Sequence, residues 1–172
     1  MRPGDQAPDP GVMETTTDEP PATRGRLAAT VLLGCCVALT LPTGLVVGWF
    51  ATELMLFGAR PTAEDHQVAA GAYGAAAAAL LLGAVALRVH GTTHWQVPVS
   101  LASAALLALL TLSSAMDAAT SSETGSGINH WWDGAGGVLA CPWTWPLVVM
   151  GVLALFRRRP AATDPAPGGG WG

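Results

Sequence analysis

Residues 136–156 are almost entirely apolar or small, and Phe156 is followed at once by Arg157, Arg158 and Arg159. About twenty such residues in a row is the length at which an α-helix crosses a hydrocarbon core of about 30 Å. Within lipid, backbone donors and acceptors must be satisfied inside the segment, so the run is read as a helix. Basic residues collect on the cytoplasmic side of a span, so the arginine cluster pins that end inside.

Three further apolar runs, at residues 27–50, 68–89 and 97–116, then thread back and forth from this anchor. The flanking charges agree at each turn: Arg24, Arg26, Arg88, Arg157, Arg158 and Arg159 border inner ends, while Arg60 alone lies in an outer loop. The sequence therefore predicts an all-α protein, a four-helix transmembrane bundle running up-down-up-down, with both termini cytoplasmic. Residues 24–159 form this transmembrane domain. Residues 1–23, with five prolines and five acidic residues, are expected to be a disordered acidic arm, either a docking tail or a solubilising leader. Residues 160–172, rich in Pro and Gly, are expected to be a disordered tail.

Composition agrees with this placement. Only 12% of the 172 residues are charged and the mean hydropathy is +0.41, against about 25% charged in ordinary soluble domains. The net charge of -4 and the absence of a basic face argue against a nucleic-acid partner. Every basic residue is Arg, and Ile and Asn each occur once, a bias expected of a G+C-rich genome. In span layout and composition the chain resembles small four-span integral membrane proteins of actinobacteria. That resemblance implies no site residues.

Local signals refine the threading. Thr62, followed by Glu64 and Asp65, reads as the N-cap of the second span, with acids near the positive helix end. Ala70, Gly74 and Ala78 recur every four residues, the spacing that lets helix backbones approach closely in lipid. Pro42 predicts a kink in the first span. Pro142 and Pro146 fall in the first turns of the fourth, where proline is tolerated. The short link at residues 91–96 makes spans two and three an antiparallel hairpin. Span three carries Ser100, Ser103, Thr111, Ser113 and Ser114, whose hydroxyls are expected to bond to carbonyls of their own or a neighbouring helix. A polar pore lining is the alternative.

Between the flanking charges no span carries an ionisable residue near its middle, which disfavours a proton-coupled pump. Cys35, Cys36 and Cys141 lie at different depths, too far apart for a bridge. Residues 32–35, Leu-Leu-Gly-Cys, resemble a lipobox, and lipidation at Cys35 competes with the thiol being structural. On the outer side His66, with Glu64 and Asp65 beside it, is expected to approach His130 and Asp133; His66, His130 and Asp133 are candidate ligands for a divalent transition metal, the competing reading being loop residues and helix caps. His90 and His94, four apart on the inner side, are a weaker pair because Gly91 lies between them. No catalytic motif is found, so no catalytic residue and no cofactor is expected.

Three functional classes remain open. The first is a non-enzymatic component that packs helices, as a homo-oligomer or within a larger membrane complex. The second is a small transporter or channel subunit, and the third is an outer-face metal-binding sensor or enzyme.

Overall fold

The computed structural model describes residues 21–54, 60–91, 95–121 and 130–157, without the side chains of 21–23 and 54. Most of the acidic arm, the C-terminal tail, Arg158, Arg159 and His94 lie outside the described residues. Five helices follow one another: α1 (Pro21–Trp49), α2 (Ala63–His90), α3 (Gln96–Thr120), α4 (Trp131–Leu139) and α5 (Thr144–Phe156). A π-helical turn, Phe50–Leu54, extends α1. There is no strand among the described residues.

Three helical stretches are long and apolar enough to cross a membrane: Arg24–Glu53, α2 and α3, with 30, 28 and 25 residues. The count reaches four if α4 and α5, bent by 94° at a short break, are one span. The helices outrun the apolar runs at several ends. Helix α1 begins at Pro21, inside the stretch assigned to the acidic arm, and α3 continues through Asp117 to Thr120.

Helix α2 starts where the sequence places its cap. The Thr62 hydroxyl accepts the Asp65 backbone N–H at 3.3 Å, and the Asp65 carboxylate accepts the Thr62 N–H at 2.8 Å. This reciprocal pair satisfies two donors that the first turn leaves without helical partners. Helix α1 runs unbroken through Pro42, with the Thr40 and Thr43 hydroxyls donating back to the Cys36 and Leu39 carbonyls at 2.7 and 2.8 Å.

The fourth run differs from its expectation. A continuous helix over 136–156 is replaced by an elbow at residues 140–143, and Trp131–Ala135, expected in a loop, belongs to α4. Pro142 is the physical cause. It has no N–H to give to the Val138 carbonyl and its ring clashes with a continuing helix. That carbonyl is instead met by the Cys141 N–H at 3.1 Å and the Thr144 hydroxyl at 2.9 Å. Pro146, by contrast, falls in the first turn of α5, where a missing amide costs nothing.

Helix α2 is the centre of the molecule and packs against all four others. Its alanines and glycines make this possible, since small side chains let several helix axes come close at once and lose no rotamer freedom on burial. Ala69, Ala72, Ala76, Leu80, Ala86 and Leu87 are buried against α1 and α3 residues such as Leu33, Val37, Ala104 and Leu107. Val37 lies near Gly83, and Gly44 near Ala76, so α1 and α2 run antiparallel. Thr111 lies beside Gly74, and the Ser100 hydroxyl donates to the Leu80 carbonyl at 2.7 Å, which makes α2 and α3 the expected antiparallel hairpin. Helix α5 is different. Leu147 and Gly151, four residues apart, meet the adjacent residues Gly83 and Leu82, so α5 crosses α2 steeply instead of running along it.

The outward faces are as apolar as the interior. Leu109, Leu112, Met116, Leu153 and Leu155 are all more than half exposed. Helices that are apolar all round, with leucine outermost and alanine within, reverse the pattern of a surface helix in a water-soluble domain.

Candidate functional site

Polar chemistry gathers at one end of α2, where α4 docks on it. His130, just ahead of α4, places Nδ1 2.8 Å from the Asp133 carboxylate and Nε2 3.6 Å from that of Glu64 in the first turn of α2. The His130 backbone N–H donates to the Gln67 side-chain carbonyl at 3.2 Å. The second of these ring contacts has ion-pair length but exceeds a hydrogen bond, and Nε2 is buried without a hydrogen-bond partner.

Of the outer-side residues that the sequence expects to approach one another, His130, Asp133 and Glu64 do meet, whereas Gln67 carried no signal in the sequence. The two carboxylates sit on opposite ring nitrogens, so they cannot converge on one ion with the imidazole between them. His66 lies two residues beyond Glu64 on α2, about 200° around the helix. Its backbone N–H bonds to the Thr62 carbonyl at 3.2 Å. Among the described residues no group of three or more His, Cys, Asp or Glu is arranged to hold a metal ion. The cluster's geometry is that of a clasp that fastens the start of α4 to the start of α2.

Backbone contact reinforces the clasp. A Cβ placed on Gly134 would collide with the Val68 carbonyl, and one on Gly71 with the Trp131 carbonyl. Both glycines are needed for this approach, and neither stood out in a sequence where Gly is frequent. The elbow is held separately: the Trp143 indole N–H donates to the Thr43 hydroxyl of α1 at 3.0 Å.

The small-residue positions do not share one environment. Ala70 is fully buried, Gly74 is half-buried and Ala78 is exposed, and together they floor an apolar groove of ≈ 370 Å³ beside α3, α4 and α5. A second groove, of ≈ 360 Å³, lies between α1 and the start of α3, where exposed Cys35 faces Trp95 and Gln96. Cys36 is buried and Cys141 half-buried, and all three thiols are free. Arg24, Arg26, Arg88 and Arg157 are exposed at helix ends. Of the span-three hydroxyls, Ser100 is tied to α2 and Thr111 donates to the Leu107 carbonyl of its own helix at 2.8 Å.

No protein-family model, curated protein or solved structure matches the chain.

Proposed function

We propose that the chain is a multi-pass component of the cell membrane that works by helix packing, with itself or as an accessory to a larger complex, and not as an enzyme. The observation that carries the reading is the reversed distribution of side-chain size. The small residues of α2 are largely consumed inside the molecule, while α1, α3 and α5 turn leucine and valine outward, as helices in lipid do. The arginine positions give it an orientation with both termini cytoplasmic and the Trp131 end outside. On this reading a partner meets the outward faces of α1 and α3, the least enclosed of the long helices.

A channel or transporter needs a polar path, and the two best-placed hydroxyls are already committed to carbonyls. An enzyme or metal sensor needs convergent ligands, which the His130 clasp does not offer. The packing reading is tested by mild crosslinking in native membranes, followed by affinity purification, mass spectrometry and sizing. A stoichiometric partner or a defined homo-oligomer is the expected result. A chain that stays monomeric and partnerless under conditions that crosslink a known membrane complex contradicts it.

A further inference from the structure

The groove beside Ala78 has a definite length, width and chemistry. It follows α2 from Ala70 to Leu82, twelve rises of about 1.5 Å, or about 18 Å in all. Trp131 and Trp132 stand at one end, and α5 closes the other, where Val148 lies beside Leu82. Spread over that length, ≈ 370 Å³ corresponds to a cross-section of about 20 Å². A helix about 10 Å across would fill on the order of 1,400 Å³ over the same distance. The groove is open along one side, so a helix rests on it without entering, whereas an extended hydrocarbon chain of that length lies within it.

The lining makes no polar demand. Apart from the indole N–H groups at the mouth, its one polar side chain is Thr111, whose hydroxyl already donates to the Leu107 carbonyl. A peptide or sugar in the groove would leave its own polar groups unmet, which costs several kcal/mol in a water-free site. Depth points the same way. Trp132 is 77% exposed at the mouth, and indoles settle at the membrane–water boundary. About 15 Å of hydrocarbon lies below that boundary in one leaflet, close to the groove's length. Charge at the mouth is acidic: Asp133 is largely exposed there and Glu64 lies across His130. An ammonium group suits both this rim and the exposed indole face, and an anionic headgroup suits neither.

We infer that the groove seats one acyl chain of an amine-headed zwitterionic phospholipid, drawn from the leaflet on the Trp131 side. This rests on the membrane reading above. The lipid fills the strip of α2 that the chain's own helices leave uncovered, and so completes the packing around the central helix.

The test uses the full chain reconstituted in vesicles of equal parts phosphatidylethanolamine and phosphatidylglycerol. After extraction into mild detergent, native mass spectrometry counts the lipid retained. Ala78→Leu fills the groove floor at an exposed position where nothing must be displaced, and Leu109→Ala alters an outward face away from the groove. The wild-type chain and Leu109→Ala should each retain one phosphatidylethanolamine. Ala78→Leu should lower its occupancy about tenfold, equivalent to about two buried methylenes.

Retention unaffected by Ala78→Leu, an empty wild-type groove, or preferential retention of phosphatidylglycerol overturns the proposal. So does an Ala78-dependent crosslink between two copies through the groove. Resistance of the same vesicles to alkaline extraction reports membrane insertion separately, so an inserted chain with an empty groove sinks this inference and leaves the membrane reading standing.

Discussion

Gly71 of α2 and the backbone carbonyl of Trp131 at the start of α4 lie so close that a single methyl group on the glycine would collide with the oxygen. Gly134 faces the Val68 carbonyl in the same way, so two helices meet backbone to backbone through a matched pair of glycines. Gly134→Ala and Gly71→Ala should each destabilise the protein by about 1–3 kcal/mol, because neither neighbour is a side chain that can turn aside. Gly136, one turn-face away on α4, has nothing within 4 Å. Gly136→Ala should be neutral or stabilising by up to about 1 kcal/mol through helix propensity. Detergent-denaturant unfolding followed by circular dichroism separates the two outcomes.

The elbow between α4 and α5 hangs on the Trp143 indole and the Thr43 hydroxyl. Trp143→Phe and Thr43→Val should each loosen it, and the double variant should cost less than the sum of the two. A coupling of about 0.5–1.5 kcal/mol in a double-mutant cycle is expected for residues in direct contact. Additive effects would mean that the bond does not hold the elbow.

Much of the fold can be read in the sequence, and the exceptions have a common cause. The Thr62 cap, the α2–α3 hairpin and the long apolar helices each follow from a local pattern: an Asx/Thr signal, a short link, a sustained hydrophobic run. The elbow does not, because a hydropathy window averages across residues 140–143 and a proline reads equally well as a first-turn residue or as a break. Which of the two it is depends on whether Thr144 and Cys141 take over the Val138 carbonyl, and that is a matter of three-dimensional geometry. The candidate site was half legible. His130 and Asp133 are three apart and find each other locally, and the threading brings Glu64 to the same side, whereas the contact of Gln67 with the His130 backbone, from a helix more than sixty residues earlier, depends on the docking angle of α4.

The Ser100 hydroxyl donates a hydrogen bond to the Leu80 carbonyl, which lies inside α2 and has a helical donor as well. Ser100→Ala should therefore cost only about 0.6 kcal/mol, the average for hydrogen bonds between helices in membranes. Ser113, exposed on the outward side of the same helix, should be replaceable by Ala with no measurable change in unfolding.

The His130 clasp is expected to be structural. His130→Ala should lower stability by about 1 kcal/mol or less, since both of its carboxylate partners are partly exposed. The same variant, and His66→Ala, should leave the metal content of purified protein unchanged by elemental analysis. A loss of one equivalent of zinc, nickel or copper on either substitution would restore the metal reading.

The central claim is that this chain crosses the cell membrane an even number of times, with the bent α4–α5 pair counting as one crossing. Single cysteines placed in a chain lacking Cys35, Cys36 and Cys141 test it directly, by labelling intact cells with a membrane-impermeant maleimide. Arg60→Cys and Ala119→Cys should react from outside. Gly25→Cys, Trp95→Cys and Gly172→Cys should react only after the membrane is opened. Labelling of Gly172→Cys in intact cells would make α4 and α5 a re-entrant element with three crossings in all, and labelling of every position would mean that the chain does not span the membrane.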